Sequence, residues 1–198
     1  MNADSVTPWF VAVGASGAAG LTDIKALLQA LPPDLPAAVL IVLHRSWDHI
    51  SHLREVLARD SNLPVVIPAQ GERIKPGVVY IGEPADHLTL AARSFGENIS
   101  DPARRYGNRT VDLLFHSVAV HGGHRIIAVV LSGSLDDGSR GLAAIHAAGG
   151  LTMVLTPDHQ PIPGMPENAI AYDGPIDVIG SPYDIADAIE KAVRHQGL

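Results

Sequence analysis

Trp9-Phe10-Val11-Ala12-Val13-Gly14-Ala15-Ser16-Gly17-Ala18-Ala19-Gly20 is an apolar run that passes directly into a stretch of small residues. Residues 9–13 have the length and continuity of a strand buried on both faces, and the small residues permit a tight turn into a helix. That helix is read over residues 20–31, with Leu21, Ile24, Leu27 and Leu28 at helical spacing and Pro32-Pro33 as its stop. The alternation then repeats. Strands are read at 37–43, 65–67, 78–81, 125–131, 151–155 and 176–179, and helices at 50–58, 111–120, 141–148 and 182–195. Residues 88–91 are suited to an antiparallel ribbon. Residues 93–109, rich in Arg, Asn and Gly, read as a polar surface loop, and 157–166 as a Pro-rich loop. Continuous apolar strands separated by helices predict an α/β, doubly wound, mostly parallel sheet with helices on both faces. In such sheets ligands bind at the carboxyl ends of the strands, near a switch in strand order.

Composition narrows the function classes. The 198 residues suit one domain, expected to have its core over about 9–193. Hydrophobic residues make up 46% and charged residues 18%, which excludes a disordered chain. A formal net charge of -7 makes a nucleic-acid partner a poor fit. With no cysteine there is no disulfide, no thiolate metal site and no cysteine nucleophile, whereas ten histidines keep imidazole chemistry open. No apolar run approaches the roughly 18–20 residues of a membrane span, and residues 1–8 lack the pattern of a signal peptide. A cytoplasmic protein is the expectation.

Three strand ends carry residues with chemistry. After the first strand, Gly14 to Gly20 has three readings. It is a loose relative of the dinucleotide fingerprint and suits a phosphate at a helix N-terminus. Alternatively Ser16 is a nucleophile with backbone N–H groups nearby as an oxyanion hole. Or Ser16 merely caps the helix. At the second strand end stands His44, where a dinucleotide-binding fold normally has Asp or Glu for the ribose. Arg45 beside it keeps a 2′-phosphate open, but no tyrosine has a lysine four residues on, as short-chain dehydrogenases require. After 125–131 comes Ser132-Gly133-Ser134-Leu135-Asp136-Asp137-Gly138, whose carboxylates either cap the following helix or orient a histidine. Ser, His and Asp on three strand ends satisfy the logic of a serine hydrolase triad. In the sets His44, His49 and His52, or His121 and His124, the i,i+3 pair can share a helix face, but neither set brings a carboxylate at matching spacing and the second flanks a Gly-Gly turn, so no metal is expected.

Read together, these motifs resemble the catalytic domain of the CheB-type chemotaxis receptor protein-glutamate methylesterases. The family's G-A-S-T-G-G loop is similar to Gly14-Ala15-Ser16-Gly17-Ala18-Ala19, and its Q-H-M strand end to Leu43-His44-Arg45. Its D-G-E-x-x-x-P-G-x-x-Y-I-A-P segment resembles residues 70–84, and its S-V-D-x-L-F-x-S helix resembles 110–117. Its L-T-G-M-G-x-D-G loop resembles 131–138, and its G-M-P resembles Gly164-Met165-Pro166. The resemblance implies Ser16 as nucleophile, His44 as general base and Asp137, rather than Asp136, as the residue orienting His44. Gly17, Ser134 and Arg45 are expected around the oxyanion and cleft. The implied reaction hydrolyses the methyl ester of a receptor glutamate, with deamidation of glutamine as a related activity. It needs neither metal nor nucleotide. The implied partner is the cytoplasmic domain of a methyl-accepting chemoreceptor or a similar protein, so contact with a membrane is at most peripheral.

The departures lie around the same loops. Gly17-Ala18 replaces Thr-Gly, Arg45 replaces the methionine after the histidine, and Ser134-Leu135 replaces Met-Gly. The arginine-rich stretch before the 111–120 helix aligns poorly at 106–109. These changes leave the triad intact and open the substrate to a different receptor set. No phospho-acceptor pattern of a receiver domain precedes the first strand, so the chain is expected to be a single catalytic domain, either excised or stand-alone. Two other readings remain: a Rossmann-like NAD(P)- or nucleotide-binding module, and a non-catalytic signalling module of the same fold.

Overall fold

The computed structural model describes residues 8–45, 51–83, 86–92, 95–101, 109–158, 161–172 and 174–195. His49, Ile50, Tyr106 and the rest of 46–50 and 102–108 lie outside them. The strands are β1 (Trp9–Ser16), β2 (Ala37–His44), β3 (Val65–Val66), β4 (Val79–Ile81), β5 (Asp86–Ala91), β6 (Phe95–Ser100), β7 (Ile126–Val130), β8 (Leu151–Leu155) and β9 (Val178–Gly180). The helices are α1 (Gly17–Ala30), α2 (Leu53–Asp60), α3 (Thr110–His121), α4 (Ser139–Ala147), α5 (Met165–Ala171) and α6 (Pro182–His195). Seven strands form one sheet in the order β3-β4-β2-β1-β7-β8-β9, every neighbouring pair parallel. From β1 the chain moves outward through β2, then returns to β1's other side at β7. The switch in strand order therefore falls at the carboxyl end of β1.

Strand parity sorts the core into two layers. Trp9, Val11, Val13 and Ala15 of β1, with Val39 and Ile41 of β2, pack against Ile24 and Leu28 of α1, Leu57 of α2 and Ile189 of α6. Phe10 and Ala12, with Ala38 and Leu40, pack instead with Val111 and Phe115 of α3, Leu142 of α4, Met165 of α5 and Leu88 of β5. Because side chains alternate along a strand, Ser16 and His44 have the even-numbered parity and belong to the α3 face. Helix α1 presents Gly20, Ile24, Leu27 and Leu28 as one buried stripe, and α6 presents Ile185, Ala186, Ile189 and Val193.

Three sequence expectations change. The stretch from Gly14 to Gly20 is no loop: β1 continues through Ser16 and α1 starts at Gly17. The polar loop read at 93–109 contains β6, which pairs antiparallel with β5 from Asp86↔Ser100 to Ala91↔Phe95. Its pattern is hidden because Gly96 is the one buried position of the strand. Its support is polar instead: Asn98 N–H donates to Gln70 Oε1, and Asn98 Nδ2 donates to the Pro68 carbonyl. The loop read at 157–166 ends in a short helix, α5, with Pro in its first turn and Gly164 N–H donating to Glu167 Oε2 at 2.9 Å. Smaller shifts affect β9, which begins at Val178, and α2, which begins at Leu53.

Helix α3 lies very close to β1. A Cβ added to Gly14 would fall 2.1 Å from Val111 Cγ1, so the glycine is what lets the helix approach. Gly14→Ala is expected to destabilise the protein by about 1–3 kcal/mol. Adding Val111→Ala should recover much of that loss in urea denaturation, because it removes the colliding methyl groups.

Candidate active site

Strands β1 and β2 are in register along their whole length, and the final pair is Ser16↔His44. Neighbouring strands run about 4.8 Å apart, so the two residues emerge side by side, on the face that carries α3. Ser16 adjoins the start of α1, yet its side chain makes no capping hydrogen bond to that helix. The hydroxyl is thus not spent on the commonest role for a serine in this place. Its own N–H donates to the Ser132 carbonyl at 2.9 Å, which fastens the end of β1 to the segment after β7. Gly17 follows at φ 70, exposed. The N–H groups of the first turn of α1 have no acceptor within the helix and stand at its positive end.

The third segment closes against the serine. A Cβ on Gly133 would lie 2.8 Å from Ser16 Cβ and 2.2 Å from Met165 Sδ, so any other residue there would displace the serine or the methionine. Ser134, expected in the cleft, is exposed and forms an antiparallel bridge with Gly164. Leu135 has φ 69, a left-handed backbone that costs a leucine about 1–2 kcal/mol.

Asp137 joins the pieces. It is 3% exposed, and its Oδ2 lies 2.5 Å from His44 Nε2. The same oxygen accepts the Val111 N–H at 2.8 Å, and Oδ1 accepts the Asp112 N–H at 2.8 Å. The carboxylate therefore caps α3 rather than the helix that follows it in sequence, and orients the imidazole as well. With Nε2 at Asp137, Nδ1 is the ring nitrogen that this carboxylate leaves unengaged. Thr110 Oγ1 lies 3.4 Å from both ring nitrogens, a long contact that steadies the ring without satisfying either one. Asp136 is exposed and contributes only its carbonyl, to Ser139 N–H at 3.3 Å.

Arg45 follows His44 but is directed sideways. Its Nη2 donates to the Gly82 carbonyl at 2.8 Å and Nη1 reaches the Leu43 carbonyl at 3.4 Å, tying the end of β2 to the segment after β4. Burial pulls its pKa below the ordinary arginine value, with Glu83 acting in the opposite sense.

Asp112 is a contributor the sequence reading left without a role. Buried behind Asp137, its Oδ1 accepts the Gly138 N–H at 3.0 Å and the Gly141 N–H at 2.8 Å, so each aspartate caps the other's helix. Among the described residues its Oδ2 has no hydrogen-bond partner, and Arg109 Nη1 lies 3.6 Å away. Burial raises the Asp112 pKa above the usual carboxylate value and the Asp137 charge adds to that, while the Gly141 and Gly138 N–H groups and His116 oppose it. Its place in the first turn and in the Val-Asp motif were the signals in the sequence for this residue; its partners lie about 26–29 residues away, beyond any local pattern.

A serine beside a histidine at paired strand ends, with a buried aspartate on the histidine, is the arrangement of a serine hydrolase on a doubly wound α/β sheet. Residues 11–189 match the family model described as CheB methylesterase, and the chain belongs to that family. It is 33% identical over 181 residues to a Bordetella avium protein named protein-glutamate methylesterase/protein-glutamine glutaminase 1, covering 91% of this chain and 52% of that protein. It is 37% identical over 172 residues to a Yersinia pestis protein named protein-glutamate methylesterase/protein-glutamine glutaminase, covering 85% of this chain and 49% of that one. The chain thus spans about half the length of the curated relatives it matches. The crystal structure of the Thermotoga maritima CheB methylesterase catalytic domain superposes with a TM-score of 0.82 at 28% identity, over 94% of this chain and 99% of that one. The alternative of a nucleotide-binding module loses its basis: Gly14 is packed under Val111 and Gly20 is buried in α1, so neither lines a phosphate cradle. No helix among the described residues is long and apolar enough to cross a membrane.

Two stability predictions test the cross-capping. Asp137→Ala should cost about 2–4 kcal/mol by leaving two α3 amides and His44 without their acceptor. Asp136→Ala should stay within about 0.5 kcal/mol, as expected for an exposed side chain. For Asp112, a pKa raised on folding means the folded chain binds the proton more tightly. That contribution to stability is fully present below the ordinary carboxylate value and fades as pH rises through the folded value. Asp112→Asn, which keeps an acceptor oxygen for Gly138 and Gly141, should therefore gain on the parent protein as pH rises from about 4 towards neutrality. Urea midpoints across that range would show it.

Proposed function

We propose that the chain is a serine hydrolase that removes the methyl ester from glutamate side chains of a chemoreceptor cytoplasmic domain, or a similar protein, on the cytoplasmic side of the membrane. The observation that carries the reading is the single Asp137 carboxylate shared between His44 Nε2 and the α3 amides. It holds the ring by Nε2 and leaves Nδ1 with only the long Thr110 contact, at a strand end paired with that of a serine whose hydroxyl makes no cap to α1. The names of the relatives supply the substrate class.

The reaction is acyl transfer. His44 Nδ1 takes the Ser16 proton as Oγ attacks the ester carbonyl, and Asp137 stabilises the imidazolium that forms. The first-turn N–H groups of α1, at Gly17 and Ala18, are donors for the oxyanion. Collapse of the tetrahedral intermediate releases methanol, which leaves with the proton held by His44. Water then attacks the acyl-enzyme with His44 again as base, freeing the glutamate carboxylate and restoring Ser16. With a glutamine side chain the same steps expel ammonia, the deamidation named for the relatives. Each step uses side chains and backbone alone. Arg45 enters this scheme as a brace for the His44 strand end, and Ser134 as part of the rim.

Ser16→Ala should lower methanol release from methylated receptor fragment by about 10³-fold or more while the urea midpoint stays near that of the parent protein. Turnover at the parent's rate in this variant would remove the nucleophile and the reading with it.

A further inference from the structure

Leu135 is the one residue other than glycine with a positive φ among the described residues. The left-handed backbone crowds Cβ against the carbonyl, a conflict that glycine would not have. Burial does not offset that strain, because Leu135 is 58% exposed. The conformation is imposed from around it. Asn168 Nδ2 donates to the Leu135 carbonyl at 2.7 Å, Ser134 bridges Gly164, and Met165 N–H donates to the Gly133 carbonyl at 2.8 Å. The bridge brings Gly164 beside Ser134, and Ile162, two residues before Gly164, is 82% exposed. Two exposed branched aliphatic residues therefore flank the Ser134–Gly164 bridge in sequence, and Leu135 is two residues along the chain from Gly133, which abuts Ser16. A single exposed apolar residue is ordinary surface. A strained one, held exposed two residues from the glycine that abuts the serine, is a feature that folding alone would not retain.

We propose that Leu135 and Ile162 determine specificity by gripping apolar side chains of the substrate polypeptide that flank its ester-bearing residue. The inference rests on the hydrolase reading for where the ester lies. A glutamyl ester side chain is short, and its carbonyl must come within about 3–3.5 Å of Ser16 Oγ. The substrate backbone therefore comes down onto the rim, and its neighbouring side chains meet Leu135 and Ile162. Polar groups there would lose water without gaining a partner, whereas apolar ones would be sheltered. The occupant is a polypeptide segment in which the ester-bearing glutamate borders apolar residues.

The test uses the full chain carrying Ser16→Ala, so that binding is read without turnover. Two synthetic peptides each carry one glutamate γ-methyl ester, flanked by leucines in one and by serines in the other. Fluorescence anisotropy should give the leucine peptide about tenfold or more tighter binding. Adding Leu135→Gly or Ile162→Ser should erase most of that preference. Leu135→Gly should melt at or above the temperature of its parent because the strain is relieved; if it melts lower, Ile162→Ser in an exposed segment carries the comparison. Equal affinity for the two peptides, no measurable binding of either, or a preference untouched by both substitutions overturns the proposal. Failure of the hydrolase reading looks different: the rim-dependent preference persists, but the chain with Ser16 intact releases no methanol.

Discussion

Everything at the carboxyl edge of the sheet depends on one carboxylate. Asp137 accepts two amides from the first turn of α3 and the Nε2 of His44. In water it would be solvated by many molecules, but buried at 3% exposure it has these three donors. Losing any of them would leave charge uncompensated, so helix, loop and imidazole are coupled. Capping and orienting the histidine, which looked like competing explanations of the Asp136-Asp137 pair, are one role. The helix that needs the cap is the helix whose start sits against the ring. Asp112 returns the arrangement by accepting amides at the start of α4. Two packed helices thus hold each other's ends, and the histidine is fixed by that lock.

The sheet delivers the other half. Parallel register along eight residues brings Ser16 to His44, and parity turns both towards α3. Close approaches then set the depth of the site: Val111 over Gly14 lowers α3 onto β1, and Gly133 lets the third segment reach the serine. Both glycines act by lacking a side chain, which is why neither is replaceable by a residue of merely similar polarity.

Much of this was legible in the chain. The unbroken apolar runs gave away the parallel sheet and put Ser16 and His44 at two strand ends, but not the continuation of β1 through Ser16 that makes them register partners. What stayed hidden was hidden for physical reasons. Strand β6 is held by backbone pairing and by Gln70 and Pro68, so its side chains carry almost no period. Helix α5 has only seven residues, too few for a stripe to appear. The target of the Asp137 cap is a helix 25–26 residues earlier in the chain, whereas local reasoning looks to the helix just after it. Arg45, beside His44 in sequence, turns to the Gly82 carbonyl, a partner that only the strand order supplies. The strain at Leu135 needed a backbone angle to be seen at all.

The central claim is that Ser16 is made nucleophilic by a histidine that Asp137 holds. A fluorophosphonate reagent reacts covalently with such a serine and leaves ordinary serines untouched, so mass spectrometry of the labelled, digested protein addresses the claim directly. The account predicts one adduct, on the peptide containing Ser16, formed quickly by the parent protein and lost when His44 is replaced by Ala. An adduct on a different serine, or no adduct on a folded protein, would contradict it.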